Sequence, residues 1–228
     1  MTPDMYVSPI VVDIETCGLP NAADFLEPVE QDKRLTDPVK IKADIKAKEE
    51  ARLQKLALDR NVGRIAAICW WTQETGYTVR LCEDEDAERT ALREFWEECR
   101  HRTIVGFNVK SFDLPFMVQR SRYLRVPYPW LDFSKYSRKG IDDLYLLLTF
   151  NEGTYDQGCM RRTLHAFAKR FGLAVNDEIR GADIPALVEQ GDWDAVQEHV
   201  ESDVTLTVQL AHQLGIIKEI PAPVEAVL

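Results

Sequence analysis

The sequence lacks the features of several specialised protein classes. It has no apolar run of the roughly 18 residues that a membrane span requires. Its first residues lack the basic region and apolar core of a secretory signal. It contains no internal repeat or low-complexity tract, and 45% of its 228 residues are hydrophobic. We therefore expect a cytoplasmic protein of one large domain, residues 1–228, with no membrane partner.

Cysteine is scarce, and its five occurrences are odd in number and widely scattered. They form no C-x-x-C pair, which disfavours both a disulfide framework and a zinc ribbon. We interpret the five as reduced thiols: Cys17, Cys69, Cys82, Cys99 and Cys159.

Positive charge is also in deficit, because 28 Lys and Arg face 38 Asp and Glu, for a net charge of -10. Phosphate binding depends on Lys and Arg, so broad electrostatic adhesion to nucleic acid is disfavoured. A small site is still compatible with this charge. Clustered acids that hold divalent cations begin with a local negative excess, which the metals then neutralise.

The order of elements predicts an α/β protein with a mixed sheet, because strands come first and then alternate with helices. We interpret residues 21–60, rich in turn formers and then in mixed charges, as an insertion that forms a solvated helical flap. GRIAAICWW and TGYTVRLC form a predicted hairpin. Helices follow at DAERTALREFWEECRH and SFDLPFMVQRSRYL, then at RRTLHAFAKRF and DWDAVQEHVESDVTLTVQLAHQL, which close at Gly172 and Gly215. The stretch GIDDLYLLLTF is compatible with a strand or a helix.

The stretch IVVDIE at positions 10–15 has the Ile and Val density of a buried strand, yet it contains Asp13 and Glu15. Side chains alternate along a strand, so both carboxylates point to the same face, roughly 7 Å apart. At this separation both can reach one cation. The alternative is an edge strand with one solvated face, because buried acids without partners are costly.

The last predicted helix carries a further acid on its apolar face. Its stripe passes through Val196, Val200 and Thr207, and Asp203 continues that stripe. His199 lies one turn earlier on nearly the same face, so the two side chains can meet over one site. The alternatives are a buried, hydrogen-bonded acid and an exposed or satisfied histidine.

Asp113 lies where a strand gives way to a helix, and alone it is best explained as an N-cap. Taken together, however, VVDIET, FNVKSFDLPF and HVESDV look like the three motifs of the DEDD superfamily of 3′-to-5′ exonucleases, whose name lists four metal-binding acids. The sequence most resembles stand-alone relatives of the proofreading domain of family-B DNA polymerases, in which the second motif has the form N-x-x-x-F-D. The resemblance extends to IDDLYLLL and TLHAFAKRFGL and covers most of the chain outside residues 21–60.

The resemblance implies a ribonuclease-H-like fold, with a mixed five-stranded sheet flanked by helices. It also implies four metal ligands: Asp13, Glu15, Asp113 and Asp203. Hard oxygen ligands suit Mg²⁺ or Mn²⁺. Two such ions roughly 4 Å apart would activate a water and stabilise the leaving 3′ oxygen, with Asp13 bridging both.

His199 marks a departure from the family. The polymerase-like branch has a Tyr four residues before the last Asp, whereas the histidine branch, which includes oligoribonuclease, has its His five residues before. His199 has the spacing of the tyrosine, and Glu198 holds the fifth place. We expect His199 to be catalytic, either as a general base, for which an ordinary pKa of about 6.5 is suited, or by orienting the attacking water.

Substrate contacts are expected from two regions. The motifs of the resemblance add Thr16, Asn108 and Phe112. The segment from Arg120 to Lys139 has six basic residues, five aromatic residues and one acid, a composition that single-strand binding uses. Its proposed phosphate contacts are Arg120, Arg122 and Arg125. The alternative is that its aromatic residues, among them Tyr123, Trp130 and Phe133, pack the core under a solvated basic loop.

These observations predict a metal-dependent 3′-to-5′ exonuclease that releases nucleoside monophosphates from single-stranded or frayed DNA ends. An exoribonuclease is the alternative within the class, because the choice depends on a pocket for the 2′ hydroxyl. An inactive nucleic-acid-binding module of the same fold is the alternative from another class, and retention of all four acids argues against it. The expected cofactors are two Mg²⁺ or Mn²⁺ ions, and the expected partner is a single-stranded DNA 3′ end.

Overall fold

The computed structural model describes residues 8–53, 55–134, 137–150, 162–175 and 178–219. Of the predicted basic and aromatic segment, Lys135 and Tyr136 therefore lie outside the described residues. Among the helices in the described ranges, none has the length and apolar character needed to cross a bilayer.

A mixed five-stranded sheet forms the centre of the fold. Its strands are β1 (Ile10–Gly18), β2 (Gly63–Thr72), β3 (Gly76–Leu81), β4 (Ile104–Gly106) and β5 (Ile141–Asp143). Their order across the sheet is β3-β2-β1-β4-β5, with β2 antiparallel to β1 and β3, and with β4 parallel to β1 and β5. The predicted α/β class, mixed sheet and β2–β3 hairpin are therefore confirmed.

Helices flank the sheet. In the described residues they are α1 (Pro38–Leu53), α2 (Glu85–Glu98), α3 (Asp113–Leu124), α4 (Leu144–Leu148), α5 (Leu164–Arg170), α6 (Ile184–Gln190) and α7 (Trp193–Gln213). Short 3-10 turns occur at Ala22–Phe25, Leu56–Leu58 and Gly181–Asp183. As predicted, the chain turns with positive φ at Gly172 after α5 and at Gly215 after α7.

The central strand β1 is covered on both faces, and its residues divide by alternation. Ile10, Val12 and Ile14 belong to a hydrophobic cluster with residues of α2 and α3. Val11, on the other face, belongs to a second cluster with residues of α5, α6 and α7. The solvated edge strand considered from the sequence is thus wrong. Asp13 and Glu15 share the Val11 face by the same alternation, which directs them toward α7.

The structure decides one segment that the sequence left open and adds one helix that it did not predict. The ambiguous GIDDLYLLLTF is both strand and helix, because β5 ends at Asp143 and α4 begins at Leu144. The Asp143 side chain accepts hydrogen bonds from the backbone N–H groups of Tyr145 and Leu146, which caps α4. Helix α6 was not predicted, since seven residues give too short a pattern to show a helical period.

The predicted insertion contains the charged helix α1 and joins the sheet near the end of β1. The Thr16 hydroxyl donates a 2.6 Å hydrogen bond to the Ala57 carbonyl, in the 3-10 turn that follows α1. A Cβ added at Gly18 would lie 3.2 Å from the Leu56 side chain, so this turn also packs on the strand.

Candidate active site

The strand β1 and the first residue of α3 bring two acidic motifs together. The backbone N–H of Ile14, between Asp13 and Glu15, donates a 3.3 Å hydrogen bond to Asp113 Oδ1. Glu15 and Asp113 are buried, at 7% and 3% exposure. The Asp113 side chain therefore points back to the strand and does not act only as a helix cap.

Helix α7 supplies the third motif. His199 is buried and places Nε2 3.2 Å from Glu15 Oε1. Ligand atoms of Glu15, His199 and Asp203 all lie within 4.8 Å of one another. The helical spacing of four residues thus brings His199 and Asp203 over one site, as the sequence predicted.

Sequence reasoning missed His165, in α5. Its Nε2 lies 3.1 Å from Asp203 Oδ1, and both side chains are about one-fifth exposed, at 23% and 20%. Because the two residues are 38 positions apart, local sequence gives no signal for this pair. The Asp203 carboxylate consequently has a histidine partner of its own, as Glu15 does.

Burial and neighbouring negative charges raise the pKa of three carboxylates in the cluster, Asp13, Glu15 and Asp113. Burial first, and then the charges of Asp113, Asp203 and Glu15, raise the pKa of Asp13 well above its usual value. Burial raises the pKa of Asp113 to about 7, although hydrogen bonds from backbone N–H groups, including that of Ile14, oppose the shift. Burial also raises the pKa of Glu15, and its hydrogen bond with His199 partly offsets this. The four acids therefore form one electrostatic unit.

The negative charges around His199 favour its protonated form. Burial alone would lower its pKa, but the hydrogen bond and charge of Glu15 outweigh burial and raise it. The charges of Asp203 and Asp183 act in the same direction. Without metal, the acid cluster thus favours an imidazolium at His199.

A second residue that sequence reasoning missed, Asp143, holds the loop that leads to Asp113. Its Oδ1 accepts a 3.0 Å hydrogen bond from the backbone N–H of Asn108, and its Oδ2 accepts one of 3.0 Å from the backbone N–H of Lys110. Because Asp143 also caps α4, one buried side chain fixes two segments. An Asp immediately before an apolar run was the available signal.

At Gly181 the backbone itself lies next to the acid cluster, because this residue has no side chain. A Cβ added there would lie 3.9 Å from His199 Nε2 and 4.0 Å from Glu15 Oε2. The 3-10 turn Gly181–Asp183 therefore forms one wall of the site. Sequence reasoning did not single out this segment.

The motif-derived substrate contacts are close to the acids in sequence, and in the structure they also serve the fold. The Thr16 hydroxyl bonds to Ala57, and Asn108 adopts a positive φ of 60° at the start of the loop to α3. Phe112 packs its ring 5.7 Å from that of Phe116. Their substrate contacts stay predictions.

The three arginines predicted to bind phosphate do not lie at the acid cluster. Arg120 is 3% exposed and makes two 2.8 Å hydrogen bonds to the fully buried Glu88, so the predicted phosphate contact is wrong for this residue. Arg122 stacks on Tyr128, and its Nε donates to the tyrosine hydroxyl. Arg122 and Arg125 lie at the far end of α3, roughly 14 to 18 Å along the helix axis from Asp113.

The donor set fits a hard divalent cation. Carboxylate oxygens are the ligands that Mg²⁺ and Mn²⁺ prefer. Burial and the charges of neighbouring acids raise the pKa values of Asp13 and Asp113. A bound cation would stabilise the ionised form of these carboxylates.

A mixed five-stranded sheet flanked by helices is the architecture of the ribonuclease-H-like fold, and here acids from β1, α3 and α7 lie near one another. The sequence profile of a family described as "Predicted 3'-5' exonuclease related to the exonuclease domain of PolB" matches residues 55–214. The chain belongs to this family. The matched range contains Asp113, His199 and Asp203 and begins after Asp13, Glu15 and α1.

A solved structure of similar fold is that of the family B DNA polymerase from the hyperthermophilic archaeon Pyrobaculum calidifontis. It aligns with 92% of this chain at a TM-score of 0.60 and 19% sequence identity, and the chain spans 24% of that polymerase. At this identity the likeness shows the fold. No curated protein matches the sequence.

Proposed function

We propose that the protein is a metal-dependent 3′-to-5′ exonuclease that removes nucleoside monophosphates from the 3′ end of single-stranded DNA. The observation that carries this proposal is the convergence of Asp13, Glu15, Asp113 and Asp203 beside His199. Exonuclease domains of this kind use divalent metals, and the family implies a nucleic-acid substrate. The catalytic unit is a single domain, with residues 21–60 as an insertion.

The four carboxylates would hold two Mg²⁺ or Mn²⁺ ions. When bound, the ions supply an activated water and charge stabilisation for the leaving 3′ oxygen. Asp13 lies where the charges of the other three acids act together, which suits a shared ligand. The Ile14 N–H, which lies between Asp13 and Glu15 in the chain, donates to Asp113 Oδ1 and so brings this carboxylate to β1.

His199 and His165 have different tasks in this proposal. His199 Nε2, beside Glu15, accepts the proton of the attacking water or orients that water, and it must be neutral to accept a proton. His165 Nε2 donates to Asp203 Oδ1 and holds that carboxylate in place. Gly181 leaves room at the wall of the site because it has no side chain.

Labelled oligonucleotides test the proposal. Single-stranded DNA and RNA of matched sequence, labelled at the 3′ or the 5′ end, are incubated with Mg²⁺, Mn²⁺ or EDTA. We expect 3′-labelled DNA to release mononucleotide first and 5′-labelled DNA to shorten progressively, with no reaction in EDTA.

The control variant is Asp13→Asn, which removes a charge and keeps nearly the same shape. If this variant degrades DNA at the parent rate, the acid cluster is not the active site. If RNA is degraded and DNA is not, the exoribonuclease alternative is correct.

A further inference from the structure

One stretch of the insertion, residues 38–55, carries a net positive charge. Between residues 38 and 55, six basic residues face three acidic ones, whereas the whole protein has a net charge of -10. Residues 38–54 lie before the range that the family profile matches, and Lys55 is its first residue. The charge of this stretch is therefore a property of this chain that the family assignment does not explain.

Core packing does not account for the residues of α1. Among its described side chains none is buried, and its described lysines are all exposed. The two hydrophobic clusters lie on the two faces of the sheet and contain no residue of α1.

Three cations share one side of the insertion. Lys48 and Arg52 are four residues apart and lie on one face of α1, and Lys55 follows in the turn after the helix. Together with Leu26, Leu56 and Asp59, they line a groove of about 430 Å³. In this groove the cations outnumber the acids by three to one.

The contacts of the three cations differ, because Lys48 has an acidic partner whereas the described contact of Arg52 is to a backbone carbonyl. Lys48 Nζ lies 2.7 Å from Asp44 and donates to the Glu30 carbonyl, and Arg52 donates to the Glu27 carbonyl. Lys55 makes no ion pair with any residue that the structure describes. Carbonyl contacts hold the side chains in position without neutralising them.

The basic face ends next to the candidate active site. Ala57, two residues after Lys55, accepts the hydrogen bond of Thr16, and Thr16 directly follows Glu15. Two residues of chain span at most about 7 Å. The groove thus lies beside the carboxyl end of the strand that carries the acids.

We propose that the face formed by Lys48, Arg52 and Lys55 binds the phosphodiester backbone of the single-stranded nucleic acid whose 3′ end enters the acid cluster. The proposal rests on the nuclease function and extends it to a binding surface mostly outside the range that the family profile matches. Three positive side chains that line one groove match a polyanionic strand, and the release of counterions on binding gives a defined salt dependence.

The test compares two triple variants with the same change in charge. Lys48→Gln/Arg52→Gln/Lys55→Gln alters the groove, and Lys40→Gln/Lys42→Gln/Lys46→Gln alters other sides of the same helix. Binding of fluorescent oligothymidylate is measured by anisotropy over a range of salt concentrations, with Ca²⁺ in place of Mg²⁺. Each phosphate contact in a single strand contributes a slope of about 0.7, so the groove variant should lose about 2 from the slope of log K against log salt.

Two further measurements keep the test decisive. The single variant Lys55→Gln should lose about 0.7 from the slope, without removing a contact that ties α1 to residues 27–30. Hydrolysis of thymidine 5′-monophosphate p-nitrophenyl ester, which is too small to reach α1, reports on the active site alone.

An equal slope in parent and groove variant would overturn the proposal, and so would an equal loss in both triple variants. A loss of ester hydrolysis in the groove variant would also overturn it, since the substitutions would then act through the fold. If the parent binds DNA with the expected slopes but hydrolyses neither ester nor DNA, the nuclease function fails and the binding surface stands.

Discussion

His165 Nε2 lies 3.1 Å from Asp203 Oδ1, across the interface between α5 and α7. With the 3.2 Å contact between His199 and Glu15, this gives each of two neighbouring carboxylates its own imidazole. The four side chains come from three separate elements, so their positions depend on how α5 and α7 pack on β1.

We predict that His165 positions Asp203 for metal binding. His165→Leu should weaken Mn²⁺ binding by about 10- to 100-fold, the usual cost of losing a group that orients a metal ligand. His165→Gln keeps a side-chain N–H donor and should retain most of the affinity. Titration calorimetry of Mn²⁺ into the purified variants measures the effect, and equal affinities for His165→Leu and the parent would contradict the positioning role.

The acid cluster should destabilise the metal-free protein. The folded-state pKa of Asp113 is about 7, above its value in an unfolded chain, so the folded state loses stability as pH rises from about 4 to about 7. Asp113→Asn removes the charge and keeps an oxygen acceptor for the Ile14 N–H. In EDTA its Tm should exceed that of the parent at pH 8, by an amount that corresponds to a few kcal/mol.

The same pair of proteins provides two controls. The difference in Tm should shrink as pH falls toward about 4. In saturating Mn²⁺ the order should reverse, because only the parent gains the full stabilisation of bound ions. A difference in Tm that is independent of pH would refute the electrostatic explanation.

We predict that His199 contributes to kcat in its neutral form. His199→Ala is expected to lower kcat by about 10²-fold or more, within the usual range for general acid-base catalysis. The parent rate should rise with pH as the imidazole loses its proton. The carboxylates that raise the pKa of His199 place this limb above about pH 6.5 unless bound metal offsets them.

His199→Tyr separates the two roles. Tyrosine can orient a water but does not titrate in this range, so the variant should retain substantial activity and lose the histidine limb. Rate profiles between about pH 6 and pH 9 distinguish the outcomes. If His199→Ala matches the parent throughout, His199 is not part of the chemistry.

Arg120 should contribute to stability and not to substrate binding. Arg120→Met leaves the Glu88 carboxylate buried without its partner and should cost about 3–5 kcal/mol of unfolding free energy, measured in urea. Adding Glu88→Leu should recover part of this loss, although the Ile65 N–H, 3.0 Å from Glu88 Oε1, then lacks an acceptor. Arg122→Met, on the exposed side of the same helix, should change stability by less than about 0.5 kcal/mol. Similar losses at both arginines would contradict the buried pair.

Local pattern predicted the parts of the site that lie within one element. Asp13 and Glu15 share a face because strand alternation requires it, and His199 and Asp203 face one way because of helical spacing. Asp113 could be placed only through the order of the three motifs, since its own surroundings indicate a cap.

Features that depend on distant partners were not predictable in this way. Arg120 and Glu88 are 32 residues apart, and each taken alone has the properties of an exposed charge on a helix. His165 and Asp203 are likewise brought together only by the packing of α5 against α7. In GIDDLYLLLTF the apolar run did not show where the strand ends and the helix begins. The structure places this boundary at Asp143, whose carboxylate accepts hydrogen bonds from both the loop before α3 and the first turn of α4.

The alternation of β1 has a consequence for how this protein tolerates change. Both faces of the strand are buried, so a carboxylate moved to the other face would not be exposed to solvent. Deleting one residue between Ile10 and Val12 would exchange the faces of every later position if the register shifted, and would aim Asp13 and Glu15 into the cluster of α2 and α3. The position of the acids at the site depends on the alternation of side chains along β1. Insertions or deletions in β1 should therefore impair activity more than most single substitutions in the strand do.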